Sequence, residues 1–252
     1  PNTDFIAGIQ DAEYTYENIY DKQSEVGNVG GSSGNSSGNA RDYTAMFFET
    51  KTSLMDGAGE LSVAVRNDDY SDFGTNTSYT VKGLWDVMEG LTLRASVGTG
   101  FRAPGLGDLA ANTTFSADSH TDYVKCNAQG IARADCPSEQ VNTYISANPN
   151  LGPEESESTN IGAIYTIGNH SIAVDIFNTE IDGIITGVSV QNIIDAAILG
   201  ASYTATLASQ GAYCERLNGV ADANLQQCFR NPINGNQTTV AGTDFKYNGV
   251  FE

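Results

Sequence analysis

Few side chains in this sequence have the types and spacing for chemistry. The two histidines are His120 and His170, and the four cysteines are Cys126, Cys136, Cys214 and Cys228. The histidines lie too far apart in sequence to complete a familiar metal pattern. Neither cysteine spacing resembles the tight C-x-x-C of a zinc site. Four cysteines allow three pairings. Each close pair sits inside one long polar segment, so Cys126–Cys136 and Cys214–Cys228 are the natural bridges, and such bridges persist in oxidising surroundings. Serines are plentiful, yet no G-x-S-x-G elbow precedes a helix, and there is no G-K-[ST] phosphate loop and no H-E-x-x-H. Carboxylate pairs such as Asp68-Asp69 and Glu154-Glu155 are common on solvated rims. No catalytic set stands out, and the chain reads as a non-enzyme, leaving binding as the chemistry to explain.

Composition narrows what could be bound. Against 12 Lys+Arg stand 31 Asp+Glu, a formal charge of −19. Nucleic acid is excluded as a partner, because a phosphate backbone needs a basic surface. Acidity suits an external, salty medium and names no ligand. No stretch approaches the roughly 18 to 20 apolar residues of a membrane helix, whereas a membrane barrel needs only about 9 to 11 alternating residues per strand.

Alternation supplies the elements that would position these residues. In Leu91–Phe101, Leu91, Leu93, Ala95, Val97 and Phe101 share one parity, and Thr92, Arg94, Ser96 and Gly98 the other. Successive side chains of a strand point to opposite faces, so one face is apolar and the other small and polar. Similar patterning marks strands near 3–18, 42–55, 60–72, 77–88, 155–167, 170–186 and 238–252. In the first of these, apolar parity slips from Phe5, Ala7 and Ile9 to Tyr14 and Tyr16; in 170–186 it slips at Phe177. A bulge would account for either slip. Lys82, Asp86, Arg94, Asp244 and Lys246 fall on the polar parity. Tyr14, Tyr16, Tyr43, Phe47, Phe48, Tyr70, Phe73, Tyr79 and Phe101 gather towards strand ends, as in an aromatic girdle at a membrane interface.

Connections differ sharply in length. Asp56-Gly57-Ala58-Gly59, Glu89-Gly90 and Gly168-Asn169 are hairpin turn chemistry. The alternating connections are longer: 19–41, 102–154 and 187–237, with a shorter one near 73–76. An up-and-down meander puts all tight turns at one end and all long loops at the other. Outer-membrane barrels have that asymmetry, with short periplasmic turns and long extracellular loops. Two structureless loops of this length are rare in a compact soluble domain. Segment 27–39, rich in Gly, Ser and Asn, is expected to be mobile. Residues 191–201 have helical spacing at Ile194, Ile198 and Ala201, which predicts a short surface helix.

Four segments in order carry a resemblance: GFRAPGLGDL at 100–109, NPNLGPEESE at 148–157, VDIFNTEIDGII at 174–185 and GTDFKYNGVFE at 242–252. Together they resemble the barrel of TonB-dependent outer-membrane receptors. Phe101, Arg102 and Pro104 are similar to the family's strand-to-loop motif, and Asn148, Pro149, Pro153 and Glu154 to its return into the next strand. The resemblance implies a roughly 22-stranded barrel with a plugged lumen, importing a scarce nutrient with energy from the inner membrane. On that reading the chain is an all-β, antiparallel, up-and-down transmembrane barrel segment of about eight strands, with long extracellular loops. Residues 1–252 read as an internal piece, without plug or energy-coupling box, and unable to transport unaided.

The implied partners are outer-membrane lipid of a Gram-negative bacterium, the plug and remaining strands of the same receptor, the TonB system through the N-terminal part, and a small nutrient. Siderophore, cobalamin, haem and oligosaccharide all remain open. Loop residues Tyr123, Tyr144, Tyr203, Tyr213 and Arg230 are the candidate ligand contacts, with loop packing as the alternative for each. Arg102 is expected to snorkel or to pair with a neighbouring carboxylate. Glu154, Glu155 and Glu157 read as a solvated rim, with Ca2+ as the alternative; no other cofactor is expected. Two further readings compete. A complete small barrel or adhesin is opposed by ends that look cut from a longer chain. A secreted β-sandwich binding carbohydrate is opposed by long loops at one end only.

Overall fold

The computed structural model describes residues 2–29 and 32–250. In chain order its strands are β1 (Thr3–Asn18), β2 (Ser32–Ser33), β3 (Ser37–Leu54), β4 (Gly59–Tyr70), β5 (Gly74–Met88), β6 (Leu91–Arg102), β7 (Thr114–Thr121), β8 (Ser138–Ile145), β9 (Glu154–Ile167), β10 (His170–Asp182), β11 (Ile185–Thr186), β12 (Ala212–Arg216), β13 (Leu225–Arg230), β14 (Ile233–Asn234) and β15 (Thr238–Gly249). The helices are α1 (Lys22–Glu25), α2 (Leu106–Ala110), α3 (Tyr123–Ala128), α4 (Val190–Leu199) and α5 (Ala201–Ser209).

The eight alternating segments form one sheet of order β1-β3-β4-β5-β6-β9-β10-β15, every neighbour antiparallel. Among the described residues β1 and β15 do not pair, so the meander is an open segment of a barrel. Cross-strand partners share a face, and the register therefore sorts every residue. One face carries Ile9, Met46, Val63, Val81, Leu93, Ile161, Val174 and Phe245. The other carries Gln10, Arg66, Lys82, Arg94, Asn160, Asp175, Asp244 and Lys246. The apolar face is bare: Ile9 is 72 %, Ile161 61 % and Phe245 70 % exposed. A soluble sandwich would cover such a face; a barrel wall offers it to lipid.

Both suspected slips have another cause. β1 and β10 keep continuous register with their neighbours, and the shift in this sheet lies between Asp86 and Met88 of β5. Tyr14, Tyr16 and Phe177 simply occupy polar-face positions. The expected girdle is corrected in the same way. Tyr14, Tyr43, Phe47 and Tyr70 share the polar face and turn inward, whereas Phe48 and Tyr79 lie on the apolar face.

Tight turns close one end. At Gly90, φ is +78° and a Cβ would lie 2.2 Å from the Thr166 carbonyl oxygen, so only glycine fits this hairpin. Midway along the polar face, Gly162 sits between Arg94 and Asp175 in register. A Cβ there would lie 2.1 Å from Asp175 Oδ1, and its absence lets the Arg94 guanidinium reach that carboxylate across β9.

The long connections are not structureless. Residues 103–153 and 183–237 fold together into a second body. Its sheet has the order β12-β13-β8-β7-β2, with β13 and β8 parallel. Its core packs Val188, Ile193, Ala196, Leu207, Ala212 and Ile233 beside Val141, Val190, Ile194 and Cys228. The predicted helix is α4, but it is no surface helix: Val190, Ile193, Ile194 and Ala196 are buried, and Ile198 faces out. Ser189 caps it, accepting the Asn192 N–H. The segment 27–39 is likewise more ordered than expected. Ser32–Ser33 pairs with β7, and β3 starts at Ser37 rather than near residue 42. Gly30 and Gly31 lie outside the described residues, as do Pro1, Phe251 and Glu252 at the chain ends.

Both disulfides form as read. Cys126–Cys136 ties α3 to the segment before β8, and Cys214–Cys228 joins directly opposed residues of β12 and β13 with Cα atoms 4.0 Å apart.

Candidate functional site

Where β6 leaves the sheet, charged groups anchor the second body to the first. Arg102 forms a two-pronged bond to Glu154 across the β6–β9 pair, and Glu154 also accepts the Ile185 N–H at 2.7 Å. Glu154 is therefore an internal anchor, not part of a solvated rim, because two donors already occupy its carboxylate. Arg41, 6 % exposed, donates to Asp72 and to the Pro104 carbonyl oxygen, each at 2.7 Å, and lies over the rings of Tyr70 and Phe73. Asn148 donates to the carbonyls of Gln210 and Pro232, accepts from Asn150 N, and gives its own N–H to Asp108 O. Pro149 lies on an exposed turn, and Pro153 leads directly into β9. The motif residues Phe101, Arg102, Pro104, Asn148, Pro149, Pro153 and Glu154 thus all sit at the two crossings between sheet and loop body.

Beneath the Pro104 crossing, the polar face carries an aromatic ladder. Tyr14 stacks on Tyr43, Tyr43 on Tyr70, and Tyr70 on Phe73, with centroids 4.6–5.6 Å apart. Phe101 meets Tyr70 edge-on. Arg66 pairs with the buried Asp68 and donates to Gln10. Tyr43, Arg66, Asp68, Tyr70, Ser78 and Phe101 line a cavity of about 330 Å³.

The loop body carries a second row of rings. Phe115 on β7, Tyr144 on β8, Phe229 on β13 and Tyr213 on β12 are register neighbours, with centroids 5.8, 5.6 and 4.7 Å apart along the row. They are half-buried, on the face opposite the core that holds Val141, Thr143 and Cys228. Of the five candidate contacts, Tyr144 and Tyr213 belong to this row. Tyr123 opens α3 beneath the Arg133 guanidinium, 4.0 Å from its centroid. Tyr203 lies on α5, 42 % exposed, and lines a separate cavity of about 290 Å³ with Asn192, Thr206 and Gln210. Arg230 is engaged inside the body, donating to Asp118 and to Val188 O. Phe115 and Phe229 escape the sequence reading. Their alternating stretches 114–121 and 225–230 are short and lie in segments read as loop.

Buried ion pairs hold the body rigid. Burial resists ionisation of Asp122, but the Arg216 guanidinium and the Lys125 N–H outweigh it and hold the carboxyl below its ordinary value. Asp118 is likewise held low: burial acts against it, and Ser116 and Arg230 prevail. Among the described residues no His, Cys, Asp or Glu cluster has the form of a metal site.

The geometry is that of a barrel wall with a disulfide-stapled loop body, and comparison with known proteins agrees on the barrel. The family model described as "TonB dependent receptor-like, beta-barrel" matches residues 2–251. The chain belongs to the TonB-dependent receptor family. This is a family of receptors in the outer membranes of Gram-negative bacteria, not of enzymes, and in such barrels the apolar face meets lipid and the polar face the lumen. A curated relative, the vitamin B12 transporter BtuB of Photobacterium profundum, is 28 % identical over 145 residues, which cover 58 % of this chain and 18 % of the transporter. Among solved structures, a mutant ferric enterobactin receptor of Pseudomonas aeruginosa superposes with a TM-score of 0.65 at 16 % identity, covering 96 % of this chain and 30 % of that one. The siderophore receptor PirA from Acinetobacter baumannii gives 0.64 at 12 % identity, with 99 % and 32 % covered. At these identities the TonB-dependent receptor structures speak for the fold alone. The chain spans less than a third of the length of each of these three receptors.

Proposed function

We propose that this chain is one side of the barrel and outer rim of a receptor that binds a scarce nutrient and imports it across the outer membrane. The nutrient is of the siderophore, cobalamin, haem or oligosaccharide kind. The plug domain and remaining strands come from the rest of the polypeptide, and the TonB system supplies energy through it. The loop body then faces the exterior and the tight turns face the periplasm.

The observation that carries this reading is the anchoring of the disulfide-stapled body at the polar-face mouth through Arg41–Pro104 and Arg102–Glu154. A body fixed there stands where a ligand enters the lumen. In the full-length receptor, labelled nutrient should bind to whole cells with or without TonB, whereas uptake should require it. Uptake that proceeds unchanged in cells lacking TonB would contradict the proposal.

A further inference from the structure

We infer that the loop body is a single lid, hinged beside Asn234 and latched by Arg41, and that release of the latch opens the polar-face mouth. This deepens the receptor reading and rests on it. Three observations lead there.

First, the two long connections are welded to one another. Strand β8 of the first pairs with β13 of the second. Asp118 and Asp122 of the first bind Arg230 and Arg216 of the second. Thr121 and Gln191 exchange two hydrogen bonds, at 2.9 and 3.2 Å. Val141 of the first packs with Val190, Ile194 and Cys228 of the second, and every member of both core clusters lies within the body. A block with its own close-packed core moves whole, because packed interiors do not deform gradually.

Second, the covalent and the non-covalent attachments of the body lie at opposite ends of the barrel sheet. All four chain passes into it leave from β6, β9, β10 and β15, one half of the strand order. One side chain gathers three of these passes. Asn234 Nδ2 donates to the carbonyls of Gly152 and Gly183, each at 2.9 Å, and its Oδ1 accepts the Gly152 N–H. Gly183 has φ +64°, a conformation that favours glycine. A few residues at element ends are the usual form of a hinge. From there the body reaches the β1–β3 end of the sheet, where bonds and contacts alone hold it. Arg41 donates to Pro104 O, Asn112 to Ser36 O and Asn35 to Thr113 O, and Gly107 of α2 rests on the Tyr16 ring. Third, the Arg41 bond of this seam is buried and the two amide bonds are exposed. Exposed bonds exchange readily with water, so Arg41 is the latch. The cavity lined by Tyr43, Arg66, Asp68 and Tyr70 lies beneath it and is uncovered when the body swings.

Full-length receptor in lipid nanodiscs is labelled with nitroxide pairs, and dipolar broadening reads their separation. One pair, Ser36→Cys with Thr113→Cys, spans the seam. The other, Asn142→Cys with Gln227→Cys, joins register partners of β8 and β13 across the two connections. Both pairs should be broadened while Arg41 is present. Arg41→Ala should cut the broadened fraction at the seam by about two-fold or more and leave the cross-connection pair unchanged. Asp72→Asn leaves Arg41 in place with a weaker hold and should act in the same direction by a smaller factor. It carries the test if Arg41→Ala fails to assemble. Seam broadening that survives both changes overturns the inference. So does lost broadening at the cross-connection pair in Asp72→Asn, which would show the connections opening separately. Either result leaves the receptor reading standing, because that reading fails on uptake without TonB, whatever the lid does.

Discussion

The two sheets of this molecule use the same alternation and turn it in opposite directions. In the barrel sheet Leu93, Ile161 and Phe245 point away from the protein, and Arg94, Asp175 and Lys246 point to the inner face. In the loop sheet Val141, Thr143 and Cys228 point into a protein core, and the opposite face holds polar groups and a row of rings. A period of two fixes which residues share a face and leaves open which solvent that face meets. In the barrel sheet, strand length and turn asymmetry settle the matter. In the loop sheet, two disulfides and two helices do.

The contrast can be broken most strongly at the buried ion pair of the loop body. Arg216→Ala leaves Asp122 without its partner in a buried site and should cost about 3 to 5 kcal/mol. Limited proteolysis should show the loops cut while the barrel keeps its heat-resistant mobility on gels. Ile194→Ala, 2 % exposed in the loop core, should cost about 2 to 5 kcal/mol by the same readout. In the barrel sheet the damaging change is of another kind. Val63→Arg puts a charge on the lipid face and should cost about 2 to 4 kcal/mol, whereas Ala64→Arg, one residue away on the polar face and opposite Glu49, should stay within about 0.5 kcal/mol. Urea unfolding in lipid vesicles measures both.

Acidity separates the regions more gently. Asp118 and Asp122 are held below the ordinary carboxylate value when folded. Their stabilisation is complete above the unfolded value, near about 4, and is lost as pH falls through the folded values. The loop body should therefore resist pepsin at pH 5 and open to it well below pH 4, with the barrel sheet intact. Arg216→Gln should flatten that dependence. The smallest effect belongs to the exposed Lys51–Glu60 pair, where Lys51→Ala should cost under about 1 kcal/mol in the same urea unfolding.

Sequence reading reaches the barrel sheet almost completely, because each strand is long enough for its alternation to repeat. It misses the loop sheet because β7, β8, β12 and β13 are short, and their partners are separated by helices and turns. The strand pairing that brings Phe115 beside Tyr144, and Tyr144 beside Phe229, is a tertiary fact with no local signal. The same holds for Glu154, whose partners Arg102 and Ile185 lie far off in sequence. The cysteine pairs were legible because their closest spacings coincide with the native links. The inward Tyr14–Tyr43–Tyr70 ladder looks like a girdle in sequence, since aromatic residues at strand ends fit either face, and only register distinguishes them.

The central claim is that β6 and its neighbours stand with one face in lipid and one in the lumen. Single cysteines introduced at Thr92, Leu93, Arg94, Ala95, Ser96 and Val97 of the full-length receptor in vesicles can each carry a spin label, since the described native cysteines are all paired. Collisions with dissolved oxygen and with a water-soluble nickel complex should then alternate with a period of two. Leu93, Ala95 and Val97 should favour oxygen, and Thr92, Arg94 and Ser96 nickel. Equal nickel access at all six positions would contradict the account.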